Sequence, residues 1–140
     1  MRVKKINSQK EVLINYKRFA IQWHEPSCSK LQTRTKNLLR FYWSNYLVLE
    51  EFIIPGSLLR IDFLNVSKRI AIEIDGPQHD TFNKHFYSDS LLAFKDAIKR
   101  DFRKMEWCEQ NNIKLITLKE EDLDHFSVKY IEDNFGVNIL

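Results

Sequence analysis

The sequence contains little glycine or proline, no long apolar run and only a small excess of charge. Three glycines and three prolines in 140 residues stand beside ten Phe, five Tyr and three Trp, which excludes a disordered or fibrous chain. No apolar run approaches the roughly 20 residues of a membrane span, and the first ten residues lack the apolar region of a secretion signal. We therefore expect one cytosolic globular domain.

Cysteine is scarce as well. Cys28 and Cys108 stand alone, without CxxC or CxxH spacing, so neither a zinc site nor a disulfide framework is indicated. Twenty-two Lys and Arg against nineteen Asp and Glu leave a net charge of +3, which is too small to identify a polyanionic partner by itself. A polyanionic partner can therefore be inferred only from where the charged residues lie in the sequence.

The first half of the chain predicts two helices followed by three strands. Residues 8–26 and 29–45 each begin with a serine that is followed three residues later by an acid or an amide, and apolar residues then recur at helical spacing. Residues 46–54, 58–65 and 70–75 are rich in Leu, Ile and Phe and are joined by two short polar turns. These three segments predict an antiparallel meander.

The second half predicts a crossover. Residues 76–90 form a polar loop of about 15 residues, a length typical of functional loops. Apolar spacing predicts a long helix over 91–111, a strand over 113–118 and a closing helix over 127–135. A strand, helix and strand in succession normally place the two strands parallel in one sheet. The predicted fold class is α/β, with a central mixed sheet of about four strands, the first helices on one face and the long helix nearby.

Three acids fall within this predicted sheet. Glu73 and Asp75 are two residues apart in one strand, so their side chains share a face. Asp62 lies in the preceding strand, and a turn at 66–69 folds the two strands together. Asp62 and Glu73 are then cross-strand neighbours, because their numbers are symmetric about the centre of that turn. The sequence therefore predicts a cluster of three carboxylates.

Such a cluster favours a divalent cation. Carboxylates on one face repel each other and lose hydration, which raises their pKa unless a cation offsets the charge. Mg²⁺ and Mn²⁺ prefer carboxylate oxygens and keep open positions for a phosphodiester and a water. His79 follows closely and is suited to orient or deprotonate that water, or to protonate the leaving oxygen. The plainer alternative is that Glu73 and Asp75 form the solvated face of an edge strand.

These motifs resemble the PD-(D/E)XK nuclease superfamily. "RIDF" precedes "EIDGPQH" by the spacing of the two motif acids, and "KDAIKRDFRKMEWCEQNNIKLITL" follows as a long helix and a strand. The resemblance covers residues 58–123 and is strongest to the branch of very-short-patch repair endonucleases and phage homing endonucleases. It implies a restriction-endonuclease-like core at 47–123 within a single nuclease domain, 1–140, with N-terminal helices at 1–46 and a C-terminal helix at 124–140.

The resemblance also implies roles for single residues. Asp62 and Glu73 match the motif acids that bind metal, and the carbonyl of Ile74 matches a further ligand. Asp75 stands where the archetype has a lysine, so it is expected to assist the metal or the water. The candidates to fill the role of that lysine are Gln78, His79, Lys95 and Lys99.

Basic residues are the candidates for contact with nucleic acid. Arg100 and Asp101 match an "RD" pair in the family helix, which implies that they bind phosphate and orient the site. The remaining candidates are Arg34, Lys36, Arg40, Lys84, Lys99 and Arg103. A solvated helix face is the alternative for the lysine and arginine stripe at 95, 99 and 103. The acid of the first family helix is missing here, and Glu50 or Glu51 are the candidates to replace it.

The expected function is that of a Mg²⁺-dependent endodeoxyribonuclease, with Mn²⁺ as a substitute and double-stranded DNA as the substrate. A site-specific homing endonuclease of phage type fits best, acting as a homo-oligomer in the cytoplasm of a bacterial or phage-infected cell. Neither a membrane nor a small-molecule cofactor is expected. Two alternatives stay open at this point: a mismatch-selective or structure-selective nicking enzyme, and a DNA-binding module of the same fold whose nuclease site has decayed.

Overall fold

The computed structural model of the chain describes residues 1–76 and 88–140. Its elements are, in chain order, β1 (Arg2–Lys4), β2 (Glu11–Leu13), α1 (Tyr16–Phe19), α2 (Lys30–Trp43), β3 (Val48–Ile53), β4 (Arg60–Asn65), β5 (Ile70–Asp75), α3 (Ser88–Gln110), β6 (Lys114–Lys119), α4 (Glu120–Leu123) and α5 (Val128–Phe135). Strands and helices interleave along the chain, which confirms the α/β class.

The central sheet has the strand order β3-β4-β5-β6. The first three strands pair antiparallel as the predicted meander, and β6 runs parallel to β5 after the long helix. The turn from β3 to β4 contains Gly56 with a φ of +85°, a left-handed conformation that glycine adopts without steric cost. The predicted mixed sheet of four strands is confirmed.

The prediction for the N-terminus is wrong. Residues 8–26 do not form one helix: β1 and β2 make a two-stranded antiparallel hairpin, and α1 is a single turn of four residues. Val12 pairs with Val3 in this hairpin, and Val3 is buried. Over the three residues Glu11–Leu13 the apolar spacing fits the period of a helix and that of a strand equally well. Pairing with Arg2–Lys4 decides in favour of a strand.

The sheet separates two apolar cores. The α3-side core contains Trp107 and Cys108 of α3, Val3 of the hairpin and inward residues of the sheet such as Ala71. The α2-side core contains Leu39 and Trp43 of α2 with the residues that α4, α5 and the C-terminus bury. The N-terminal hairpin and α2 therefore pack on different faces, which corrects the expectation that the first helices share one face.

The helices α2 and α5 begin where their capping serines predict. The Ser29 side chain accepts a hydrogen bond from the Gln32 amide (3.1 Å) at the start of α2, and Ser127 accepts one from Tyr130 (2.9 Å) at the start of α5. Gly136, with a φ of +68°, ends α5. The short helix α4 was not predicted, because four residues are too few for a periodic signal.

The alternation of faces changes at Glu51 in β3. Leu49 and Phe52 both enter the α3-side core although they are three residues apart, and Ile61 and Leu64 do the same on β4. Glu51 adopts a left-handed φ of +52°, which is costly for a residue other than glycine. This local distortion lies opposite Asp62, because the flanking pairs are Glu50 with Phe63 and Phe52 with Ile61.

Within the described ranges, none of the helices combines the length and the apolar character that a bilayer crossing demands.

Candidate active site

The centre of the site is a fork between β4 and β5. The two strands pair in register from Asn65 with Ile70 up to Phe63 with Ile72. At the next position the strands are linked through side chains instead of backbone-to-backbone hydrogen bonds. The Asp62 amide donates to Glu73 Oε2 (3.1 Å), and the Ile74 amide donates to Asp62 Oδ2 (2.8 Å). We call this position, formed by Asp62, Glu73 and Ile74, the fork. The predicted cross-strand contact of Asp62 and Glu73 is therefore confirmed.

The fork holds two acids together in a poorly hydrated place. Glu73 is 9% exposed. Burial raises the pKa of the Asp62 carboxyl to about 8, and the negative charge of Glu73 and a hydrogen bond with it act in the same direction. The Ile74 amide and the charge of Lys104 lower this pKa to a smaller extent. The pair consequently favours either a proton or a cation between its carboxylates.

Lys104 of α3 is the functional candidate that sequence reasoning missed. Its Nζ lies 2.6 Å from Glu73 Oε1, and both side chains are largely buried. The contact is a short ion pair, and it places the ammonium at a buried carboxylate oxygen that accepts no other hydrogen bond in the described part of the chain. Lys104 precedes the buried Trp107 and Cys108 by three and four residues. That helical spacing is the signal that could have assigned it to the inner face of α3.

The acids and Lys104 border one cleft of about 210 Å³. Its lining residues are Asp62, Glu73, Ile74, Asp75, Asp101, Lys104, Met105, Leu115 and Thr117. Asp101 therefore borders the cleft, and the role that the resemblance implies for it stays a prediction. A wider open depression of about 710 Å³ lies at the start of α2 and contains none of the predicted metal ligands. The smaller cleft is the candidate site, because the three predicted acids Asp62, Glu73 and Asp75 border it.

The three predicted metal ligands do not form one ligand group. Asp75 lines the cleft, yet in residues 1–76 and 88–140 no three His, Cys, Asp or Glu side chains are close enough to hold one ion. Asp62 and Glu73 still fit a divalent cation, since both carboxylates border the cleft, carboxylate oxygens are what Mg²⁺ prefers, and Glu73 Oε1 already faces a positive charge, that of Lys104. Water and substrate would have to supply the remaining ligands.

Glu50 and Glu51, the candidates for the missing acid, differ in their surroundings. Lys36 Nζ lies 2.8 Å from Glu50 Oε1, and Gln32 and Ser27 donate to Glu50 Oε2, so this carboxylate is fully engaged. Gln32 also donates to Glu51 Oε1 (2.9 Å). Arg60 Nη1 lies 3.4 Å from Glu51 Oε2, and neither glutamate is among the described residues that line the cleft.

The thiol of Cys28 lies beside Glu51 and within the electrostatic influence of Asp62. Cys28 Sγ lies 3.5 Å from Glu51 Oε1. Burial raises the pKa of this thiol, and the charges of Glu51 and then of Asp62 raise it further. The loop before α2 thus lies beside the distorted part of β3 and within electrostatic reach of the fork.

Lys36 is not a DNA-binding residue, which corrects its prediction. Its side chain is 1% exposed, and Nζ donates to the carbonyls of Gln22 (3.0 Å) and Glu25 (2.7 Å) in addition to its ion pair with Glu50. A buried ammonium with all its donors in use cannot reach a phosphate. Lys36 lies among other basic residues of α2, so the sequence alone does not distinguish its structural role from a surface position.

The other basic candidates lie at the surface. Arg34 forms an exposed ion pair with Asp124 (2.7 Å), and Arg40 Nη1 lies 3.2 Å from His24 Nδ1. Exposed positions on α3 hold Lys95, Lys99, Arg100 and Arg103. None of these four borders the cleft in the described structure. The catalytic role predicted for Lys95 and Lys99 stays a prediction.

Three predicted residues lie outside the described part of the chain: Gln78, His79 and Lys84. Their roles stay predictions.

No protein-family model, no curated protein and no solved structure matches this chain. The similarity to the PD-(D/E)XK nucleases therefore depends on the motif residues and their arrangement alone.

Proposed function

We propose that this chain is a Mg²⁺-dependent endonuclease that hydrolyses the phosphodiester bonds of double-stranded DNA. The observation that carries the proposal is the direct contact of Asp62 and Glu73 at the strand fork, with Lys104 beside them in a cleft. Two poorly hydrated carboxylates in contact are costly for a fold unless they bind something positive. A cation site explains why the strands separate where they do.

Asp62 and Glu73 are the residues that would hold the ion, with the Ile74 carbonyl as a further oxygen. A bound Mg²⁺ supplies a Lewis acid that polarises the phosphodiester and lowers the pKa of water. The backbone bonds between the two acids fix their orientation, so little rearrangement is needed on loading. His79 is proposed on sequence grounds to orient or deprotonate the attacking water.

DNA would approach along the exposed basic face of α3. Lys99, Arg100 and Arg103 are exposed on this helix, which also contributes Asp101 and Lys104 to the cleft. Backbone phosphates bound there would bring a scissile bond to the acids. We further propose a site-specific homing endonuclease of phage type, cytoplasmic and homo-oligomeric, since a chain of this size gains specificity by doubling its contacts.

The test is cleavage of mixed-sequence plasmid in Mg²⁺, in Mn²⁺ and in EDTA. The informative variants are Asp62→Asn and Glu73→Gln, because each keeps an oxygen that can accept the backbone hydrogen bond of the fork while it removes the charge. Asp133→Asn, an exposed substitution on α5, is the matched control. We expect cleavage by the wild type and the control in either metal, and none by the two site variants.

Undiminished cleavage by both site variants would contradict the proposal. DNA affinity without cleavage in any metal would identify a binding module instead. Preferential nicking of mismatched or branched duplexes over perfect duplex would identify the structure-selective enzyme, which shares the same chemistry.

A further inference from the structure

The charges of the site do not yet match its proposed substrate. Asp62 and Glu73, when ionised, cancel one divalent cation, whereas a phosphodiester carries one negative charge and gains another as water attacks. Asp75, which also lines the cleft, adds further negative charge. A further positive group must face the substrate for the site to stabilise this transition state.

Lys104 is placed to be that group. It reaches the cleft from α3, opposite the strand that bears Asp75, and its Nζ is within 2.6 Å of Glu73 Oε1. The ammonium forms an ion pair with Glu73 Oε1, which occupies one of its three donors. Its other donors can turn to an oxygen in the cleft. Lys95 and Lys99 are exposed and border no part of this cleft in the described residues.

We propose that Lys104 is a catalytic residue: its ammonium contacts a non-bridging oxygen of the scissile phosphate, and it balances Glu73 while no metal is bound. This inference rests on the proposed nuclease function. In the reaction a water oxygen forms a bond to phosphorus, and the bond from phosphorus to the leaving sugar oxygen breaks. One proton leaves the water and one proton ends on the leaving oxygen. Lys104 stays protonated throughout and supplies charge only.

Removal of the Lys104 ammonium should change the cleavage rate and the metal affinity in opposite directions. This pattern distinguishes a catalytic role from a structural one. Removing the ammonium takes away stabilisation of the transition state, so cleavage slows. It also removes a positive charge that competes for Glu73, so a divalent cation binds the free protein at least as tightly as before. A lysine that merely supports the fork would lose cleavage and metal affinity together, and thermal unfolding serves only to show that each variant is folded.

The experiment compares the wild type with Lys104→Met, Lys104→Arg and the exposed control Lys129→Met on α5. Single-turnover cleavage of plasmid DNA in Mg²⁺ is measured first. The affinity of the DNA-free protein for Mn²⁺ is measured by calorimetry, and thermal unfolding is followed in EDTA. We expect Lys104→Met to cleave roughly 10²- to 10³-fold more slowly than the wild type. Its Mn²⁺ affinity should be equal or higher, Lys104→Arg should retain much of the rate, and the control should match the wild type.

A Lys104→Met rate within threefold of the wild type overturns this inference and leaves the nuclease proposal standing. Joint loss of rate and of Mn²⁺ affinity also overturns it, since Lys104 would then be structural. A wild type that cleaves in neither metal removes the nuclease function, and the role of Lys104 with it. If Lys104→Met fails to fold, Lys104→Gln carries the same comparison.

Discussion

The side chains of Asp62 and Glu73 each accept a backbone hydrogen bond from the other residue's strand. Glu73 Oε2 accepts a hydrogen bond from the Asp62 amide, and Asp62 Oδ2 accepts one from the Ile74 amide. Two acids are thereby kept in contact by hydrogen bonds that belong to the backbone. The electrostatic cost of this arrangement appears in Asp62, whose pKa is raised to about 8, first by burial and then by Glu73.

The first prediction concerns pH. With an Asp62 pKa of about 8 in the folded protein against 3.8 in the unfolded chain, the folded state binds more protons between these values. The stabilisation is complete below pH 3.8 and is lost as pH rises towards 8. In EDTA the free energy of unfolding should fall on the order of 1 kcal/mol per pH unit over this window. Urea unfolding at pH 5, 6, 7 and 8 measures it, and Asp62→Asn should flatten the profile. An equal slope in this variant would assign the effect to another group.

The second prediction concerns metal binding and stability. A cation held by Asp62 and Glu73 binds only the folded state, so Mn²⁺ at a hundred times its Kd should add about 2.7 kcal/mol to the free energy of unfolding. The gain should be larger at pH 8 than at pH 6, because at the lower pH the ion must displace a proton from Asp62. Thermal unfolding with and without Mn²⁺ is the measurement. Glu73→Gln should lose most of the gain, and a full gain in that variant would place the ion elsewhere.

The third prediction concerns the buried pair of Lys36 and Glu50. Lys36→Met should destabilise the protein by about 3 kcal/mol, because it leaves a partly buried carboxylate without its counter-charge. Lys30→Met, an exposed substitution in the same helix, is the control and should change stability by less than about 0.5 kcal/mol. Urea unfolding at pH 7 compares them. Adding Glu50→Gln to Lys36→Met should restore part of the loss, and no recovery would mean that packing dominates over charge.

The fourth prediction moves the positive charge across the cleft. Asp75 and Lys104 line the same cavity from a strand and from a helix. Asp75→Lys in a Lys104→Met background should raise the cleavage rate roughly 10-fold above Lys104→Met alone, about 1.4 kcal/mol in activation free energy. Asp75→Asn in the same background removes the acid without adding a cation and should recover less. Equal recovery by both would show that only the repulsion of Asp75 had mattered.

The sheet and the contact of its two acids followed from local patterns. Alternating apolar residues identified β4 and β5, and the short turn between them determined which residues face each other, so the amino-acid sequence was enough to pair Asp62 with Glu73. The hairpin at the N-terminus could not be predicted in this way. Val12 pairs with Val3 across the hairpin, and residues next to Val12 in the sequence do not determine this pairing. Such non-local contacts can outweigh a weak helical periodicity in the sequence.

Lys104 was missed for a related reason. The regular spacing of Lys95, Lys99 and Arg103 drew attention to one stripe of α3, whereas the face that meets the sheet is determined by how Trp107 packs in the α3-side core. Lys36 is the converse case, because it lies in a basic stretch of sequence but points to the interior. Which charged side chain of a helix faces inward depends on the docking of the whole helix.

The fork between β4 and β5 also constrains how this protein can change over generations. A lineage that abandoned the chemistry would lose stability on replacing Asp62 and Glu73 by alanine, because the partly buried amides of Asp62 and Ile74 would lose the carboxylates that accept their hydrogen bonds. Inactive descendants should instead carry asparagine, glutamine or serine at these two places, a signature by which a silent copy could be told from a working one.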